Sequence, residues 1–239
     1  MIAKAIDKIL QISAPALLEI NGRSYTSKDV MRVNEELRAE PIACKTLTGV
    51  LDYITKNKDA ALNREYFLHV VNAKRVELVS NLDKDRKRET LVVAQAETPN
   101  LPVGDYYDNE KFLIGVQANF VPGKDTALVL QFAGTVTDGT ITDYKDDGVT
   151  QKATIRQGIK GKTDAIVPSP CALRPYRTFL EVEQPESSFI FRMRSGSRGP
   201  ECALFEADGG AWKHVAMDTI KEYLQARLRE AGIDMPVIA

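Results

Sequence analysis

RPYRTFLEVEQPESSFIFRMRSGSRGPECALFEADGGAWKHVAMDTIKEYLQARL, residues Arg174 to Leu228, is the stretch whose reading decides the fold. Thr178 to Glu183 alternates, with Leu180 and Val182 on one face and Phe179, Glu181 and Glu183 on the other. Ser188 to Arg194 alternates as well, setting Phe189, Phe191 and Met193 against Ile190, Arg192 and Arg194. Such alternation suits half-buried strands, because successive side chains point to opposite faces of a sheet. Gln184-Pro185-Glu186-Ser187 has turn chemistry. The two runs therefore predict a hairpin with Val182 opposite Phe189 and Leu180 opposite Phe191, and with Glu181 diagonal to Arg192. Ser195 to Pro200 breaks the sheet before a third strand, Cys202 to Glu206. A helix follows, with Asp208 as its expected N-cap and Gly232 at its end. Trp212, Val215, Ala216, Ile220, Tyr223, Leu224 and Leu228 recur at helical spacing and form one apolar stripe. The expected unit is β-β-β-α, an antiparallel sheet with the helix packed on it.

Two groups in this stretch are candidates for chemistry. Glu206 and Asp208, with His214 near the same helix start, would suit a cation or ligand; a capped strand-to-helix turn is the preferred alternative. Arg174, Arg177, Arg192, Arg194 and Arg198 would suit phosphate or an acidic partner surface, against the plainer reading of pairing with Glu181, Glu183 and Glu186.

Bulk properties narrow the classes. The chain has 239 residues, 44% hydrophobic and 27% charged, which is an ordinary globular composition. A net charge of −1 supplies no global field toward nucleic acid or an anionic membrane. No apolar run approaches the roughly 20 residues of a membrane span. Met1 to Ser13 lacks the apolar core and cleavage site of a signal peptide. The three cysteines, Cys44, Cys171 and Cys202, are far apart and read as free thiols in a reducing compartment, so a cytoplasmic location is expected. Two histidines, His69 and His214, are too few for a His-rich metal site. There is no P-loop, G-x-G-x-x-G, paired C-x-x-C or H-E-x-x-H. That lowers the expectation of an enzyme, and no cofactor or metal is assigned.

Taken in order, Ile2, Ala5, Ile6, Ile9 and Leu10 make a short amphipathic helix, with Ile2, Ile6, Ile9 and Leu10 as candidate oligomer contacts. Leu17–Ile20 and Arg23–Tyr25 flank Asn21-Gly22, a hairpin signal. Thr26-Ser27-Lys28-Asp29 has capping-box spacing and predicts a helix to about Glu40. A second helix presents Leu47, Val50, Leu51 and Ile54. Strands are expected over Glu65–Val71, Arg75–Ser80 and Glu89–Ala96. Between the last two, Lys84, Arg86, Lys87 and Arg88 sit with Asp83 and Asp85, either a nucleic-acid contact or, preferably, a solvated hairpin tip. Asp108 opens a helix carrying Phe112, Leu113, Val116 and Phe120, and Ala127–Phe132 reads as another helix ending at Gly134. Thr135–Tyr144 and Val149–Arg156 read as strands around an Asp147-Gly148 turn. Asp143, Asp146 and Asp147 lack the full pattern of a calcium loop. Ile166 to Arg174 reads as an extended connection. The expected fold is α+β, antiparallel sheets with packed helices. Residues 1–60 form an N-terminal helical region and 61–239 a core, with the best internal break between Gly158 and Pro170.

Four runs resemble the YfdQ-like family of phage and prophage proteins: Arg174 to Met193, FEADGGAWK from Phe205 to Lys213, DDGVTQKATIRQG from Asp146 to Gly158, and DNEKFLIGVQANF from Asp108 to Phe120. With the strands between Glu65 and Ala96, the resemblance covers Arg64 to Ala239. It implies a phage or prophage origin, an intracellular product and a gene neighbourhood of early or DNA-metabolism functions. The family carries no established catalytic residues. Three functions are weighed on this basis. The first is a non-enzymatic accessory protein acting as a homo-oligomer, with a phage or host protein as a further candidate partner. The second is an accessory factor in phage DNA replication or recombination that binds DNA or a DNA-processing protein. The third, held lowest, is an enzyme or small-molecule binder built around Glu206, Asp208 and His214.

Overall fold

The structure is a computed structural model that describes residues 2–20, 23–26, 38–56, 65–84, 86–137, 141–146, 151–157, 161–166, 169–197 and 199–239. The chain forms two compact units, Met1–Arg38 and Ala39–Ala239.

The first unit holds helix α1 (Ile2–Ser13) and an antiparallel hairpin of β1 (Leu17–Ile20) and β2 (Arg23–Thr26), with Leu17 opposite Thr26 and Ile20 opposite Arg23. The Asn21-Gly22 turn and most of the helix expected after Thr26 lie outside the described residues, and Arg38, Ala39 and Glu40 are not helical.

The second unit runs through β3 (Ile42–Cys44), α2 (Leu47–Lys56), β4 (Tyr66–Asn72), β5 (Arg75–Ser80), β6 (Thr90–Gln95), β7 (Tyr107–Asp108), α3 (Asn109–Asn119) and α4 (Lys124–Thr137). It continues with β8 (Ile141–Asp146), β9 (Gln151–Gln157), β10 (Gly161–Ile166), β11 (Cys171–Leu173), β12 (Ser187–Gly196), β13 (Gly199–Glu206), α5 (Trp212–Glu230) and β14 (Val237–Ile238). This is an α+β fold. A five-stranded sheet has the order β14-β4-β5-β6-β3, antiparallel in its centre with parallel outer strands. An antiparallel four-stranded sheet has the order β11-β12-β13-β7, and β10-β9-β8 form a third, antiparallel sheet. The strand β10 occupies part of the interval where an internal break was expected. The α2 segment and β3, assigned in sequence to the N-terminal region, pack in the second unit.

Each main sheet has its own core. Phe189, Phe191 and Met193 of β12 point as the alternation predicts, and pack with Cys202 and Leu204 of β13 against Phe112 and Val116 of α3 and Val129 of α4. Phe112 stacks on Phe191 with ring centroids 5.6 Å apart. The side chain of Asp108 caps α3, accepting from Lys111 N at 3.0 Å. The five-stranded sheet buries Leu68, Val76, Leu78 and Val92 beneath α2 and α5.

Three expectations are corrected. First, Thr178–Glu183 is not a strand. Phe179 and Val182 are both buried in the core of the five-stranded sheet, which a strand forbids at a separation of three residues. A turn closed by Val182 N on Phe179 O (3.4 Å) brings them to one side, and Leu180 is left 72% exposed. The partners of β12 are β11 and β13: Phe189 lies opposite Cys171 and Glu206, and Ser195 to Pro200 is the tight end of the β12–β13 hairpin. Glu181 does not reach Arg192 but caps α2, its Oε1 accepting from Thr48 N at 3.1 Å. Second, the helix begins one turn late. Gly209 and Gly210 adopt φ of +62° and +82°, the left-handed region, and hold Asp208 outside the helix. Its stripe (Trp212, Ala216, Ile220, Leu224, Leu228) is buried, whereas Val215 is 52% exposed. Ile220, Leu224 and Leu228 pack on the five-stranded sheet and not on the strands that precede the helix. Third, α4 runs through Thr137, so the following strand starts only at Ile141.

The helix end at Gly232 is as expected. With φ at +70°, Gly232 gives its N–H to Arg229 O and Ile233 gives its own to Leu228 O, a Schellman motif with Ile233 packed on the same core as Leu228. No helix among the described residues is long and apolar enough to cross a membrane.

The distant cap generates a prediction. Glu181→Ala leaves Thr48 N of α2 without its side-chain acceptor and costs about 1 kcal/mol, the usual worth of a helix cap, in urea unfolding.

Candidate functional site

The sequence singles out Arg177 in one candidate group and Glu206 and Asp208 in another; the structure brings all three into one network. Arg177 is 2% exposed. A guanidinium so deep in the chain needs charge and hydrogen-bond partners around it. Its Nη1 donates to Glu206 Oε1 at 2.8 Å, and its Nη2 donates to Pro185 O at 3.2 Å and to Ser187 Oγ. The Ser187 hydroxyl in turn donates to Asp208 Oδ2. Asp208 also accepts from Gly210 N (3.0 Å) and Trp212 N (3.4 Å), so it serves the start of α5 without occupying the N-cap position, which is Ala211. The guanidinium carbon lies 4.0 Å from the Trp212 ring centroid, a cation–π contact.

The surrounding loop is held by Gln184. Its Oε1 accepts from Arg177 N (2.9 Å) and Thr178 N (3.2 Å), and its Nε2 donates to Phe179 O (2.9 Å) and Val182 O (3.3 Å). One side-chain amide thus satisfies four backbone groups that a strand partner would otherwise serve. Thr178 Oγ1 donates to Ala73 O between β4 and β5, tying this loop to the five-stranded sheet. Two buried donors, Arg177 Nε and Trp212 Nε1, have no acceptor within the described residues.

Electrostatics follow from this geometry. Burial draws the Arg177 pKa down, against the charges of Glu206 and Asp208, which raise it. Burial works to raise the Asp208 pKa, but the Ser187 hydroxyl, the Gly210 and Trp212 N–H groups and the Arg177 charge outweigh it and hold the carboxyl below its usual value. The arrangement is a clamp. It joins the start of β12, the end of β13, the start of α5 and the β4–β5 turn around one cation.

The remaining candidates are placed elsewhere. His214 is exposed on α5, outside the network. Arg174 pairs with Glu183 at 3.0 Å. Arg194 pairs with its cross-strand partner Glu201 at 2.7 Å and lies 3.9 Å from the Tyr106 ring centroid. Arg192 is half-buried on β12, and Arg198 lies outside the described residues. With Arg177 sealed inside, the four described arginines of this group do not make one basic surface. At the β5–β6 tip, Lys84, Arg86 and Lys87 are exposed, and Lys87 N donates to Asp83 Oδ1 at 2.8 Å. Arg88 folds back onto the sheet, donating to Ser80 O at 2.9 Å with its guanidinium 5.0 Å from the Phe67 ring centroid. Among the described residues, no group of three or more His, Cys, Asp or Glu is arranged to hold a metal ion. A cleft of about 840 Å³ beside α3 is lined by Tyr106, Tyr107, Asp108, Lys111, Pro200 and Glu201. On α1, Ile2, Ile6, Ile9 and Leu10 are 78, 51, 63 and 60% exposed.

Sequence reasoning missed Gln184, Ser187, Thr178 and Trp212 as members of the network. The one available signal was the single tryptophan directly after the Asp208-Gly209-Gly210 turn. No protein-family model, curated protein or solved structure matches this chain.

Two outcomes are expected of the network. Arg177→Ala leaves the buried Pro185 carbonyl and Ser187 hydroxyl without their donor and destabilises the protein by about 1–3 kcal/mol in urea unfolding, the range for buried polar groups that lose a partner. Because the Asp208 pKa is lowered in the folded state, its contribution is full above the unfolded value of about 4 and is lost as pH falls through the folded value. Trp212 fluorescence therefore changes on acidification below about pH 4, and Asp208→Asn removes that step.

Proposed function

We propose that this chain is a non-enzymatic phage or prophage accessory protein that works as a homo-oligomer in the cytoplasm of a bacterial host. The observation that carries the reading is the apolar stripe of α1. Ile2, Ile6, Ile9 and Leu10 are all more than half exposed on one 12-residue helix. A helix this short is marginal alone in water, so a stable one draws on packing of its apolar face. Burying each such side chain is worth roughly 1.5–3 kcal/mol, which makes the stripe a natural contact with another copy. The burial of Arg177, and its engagement with Glu206, Ser187 and, through Ser187, Asp208 of the same chain, supports a scaffold role for the network. The phage setting rests on the resemblance carried by Arg174–Met193 and the three other runs.

The test is the mass of the purified protein in solution, by light scattering, with and without Met1 to Ser13. A defined assembly that falls to monomer on truncation is expected. A monomer in both forms overturns the reading, and salt-dependent nucleic-acid binding at Lys84, Arg86 and Lys87 becomes the reading to measure.

A further inference from the structure

The five-stranded sheet has two faces, and α2 and α5 both cover the first. The register places a different set on the second. Ile238, His69, Glu77, Val93 and Ala43 form one row across all five strands. In the neighbouring row Phe67 lies opposite Val79. The solvated face of an antiparallel sheet is ordinarily polar. This one carries Phe67, Val71, Val79, Val93 and Ile238; Val71 is 37% and Ile238 46% exposed, Phe67 and Val93 are half-buried, and Val79 is buried, with the Arg88 guanidinium over the Phe67 ring. In its midst Arg75 and Glu77 stand side by side on β5, bonded at 2.6 Å.

We propose that this second face is a self-association surface that packs against the same face of a second copy about a twofold axis. The proposal rests on the homo-oligomer reading and adds a contact separate from α1. The charge pattern selects the occupant. A twofold contact must be self-complementary, and an adjacent base and acid meet that condition because each finds its opposite across the axis. The β-branched residues suit face-to-face sheet packing, where two inner faces interdigitate about 10 Å apart. Single-stranded nucleic acid fits less well: it prefers aromatic platforms in basic grooves, and here the acidic Glu77 sits mid-face while the Phe67 ring is already covered by Arg88.

The experiment uses the full chain and reads mass by light scattering across a concentration series. Glu77→Arg leaves only bases at the pair, and Arg75→Glu leaves only acids, so each sets like charges across the axis. Each single variant is expected to weaken association about tenfold. The two single variants mixed in equal amounts are expected to form a mixed pair, seen by native mass spectrometry, and R75E/E77R is expected to associate as wild type does. Lost intramolecular pairing alone would lower the melting temperature without producing a mixed pair. Circular dichroism confirms folding; should either single variant unfold, Val93→Lys serves as the second variant, expected to weaken association. Unchanged mass in the folded variants, or no mixed pair, overturns the surface. If truncation of Met1 to Ser13 dissolves the assembly while the face variants leave it intact, the homo-oligomer reading stands and this surface falls. A monomeric wild type overturns both.

Discussion

The structure of the second unit depends on burying one guanidinium. An ionised group at 2% exposure is tolerable only where partners replace its water, and Arg177 draws them from four directions. Glu206 comes from the end of β13, Ser187 from the start of β12, Pro185 from the loop before β12, and Trp212 from the first turn of α5. Asp208 is reached through Ser187, whose hydroxyl can accept from the arginine and donate to the carboxylate at once. Each partner fixes a junction between elements. The cation thereby sets where the four-stranded sheet stops and where the last helix starts.

That constraint explains why α5 leaves its own strands. Asp208 takes the N–H groups of Gly210 and Trp212, and the two glycines turn the chain in the left-handed region before the helix can begin. Trp212 and Ala216 then meet Ala73 beside the β4–β5 turn, and the later turns bury Ile220, Leu224 and Leu228 with Leu68 and Leu78. The loop before β12 is bound into the same place: Thr178 donates to Ala73 O while Phe179 and Val182 enter that core. The two sheets are thus connected by a loop and a helix that share one anchoring residue pair, Arg177 and Trp212.

How much of this was legible follows from the range of the forces involved. Local periodicity showed β12, α2, α3, the central strands β4 to β6 and the stripe of α5, because each depends on residues close in sequence. It failed at Thr178–Glu183, where alternation was present but Gln184 supplied through its side chain what a neighbouring strand would have supplied through its backbone. The outer strands β3, β7 and β14 have only two or three residues, too few for a period of two to register. The network was half visible. Arg177 and Glu206 were each singled out, yet their pairing spans 29 positions and depends on the hairpin between them, which no spacing rule encodes.

The distribution of apolar surface leads to a last step. The second unit covers one face of its larger sheet thoroughly, with Leu68, Val76, Leu78 and Val92 at or below 1% exposure. The first unit exposes the stripe of α1, and the other sheet face exposes Val71 and Ile238. Two distinct surfaces behave differently from one. A twofold contact between sheet faces closes at two copies and saturates. On the same proposal, a second contact through the helices would join one such pair to the next, because each copy would still carry an unused surface after the first contact forms. On the homo-oligomer reading proposed above, two such surfaces would carry assembly beyond a dimer, and the order in which the contacts dissociate on dilution would reveal the stronger.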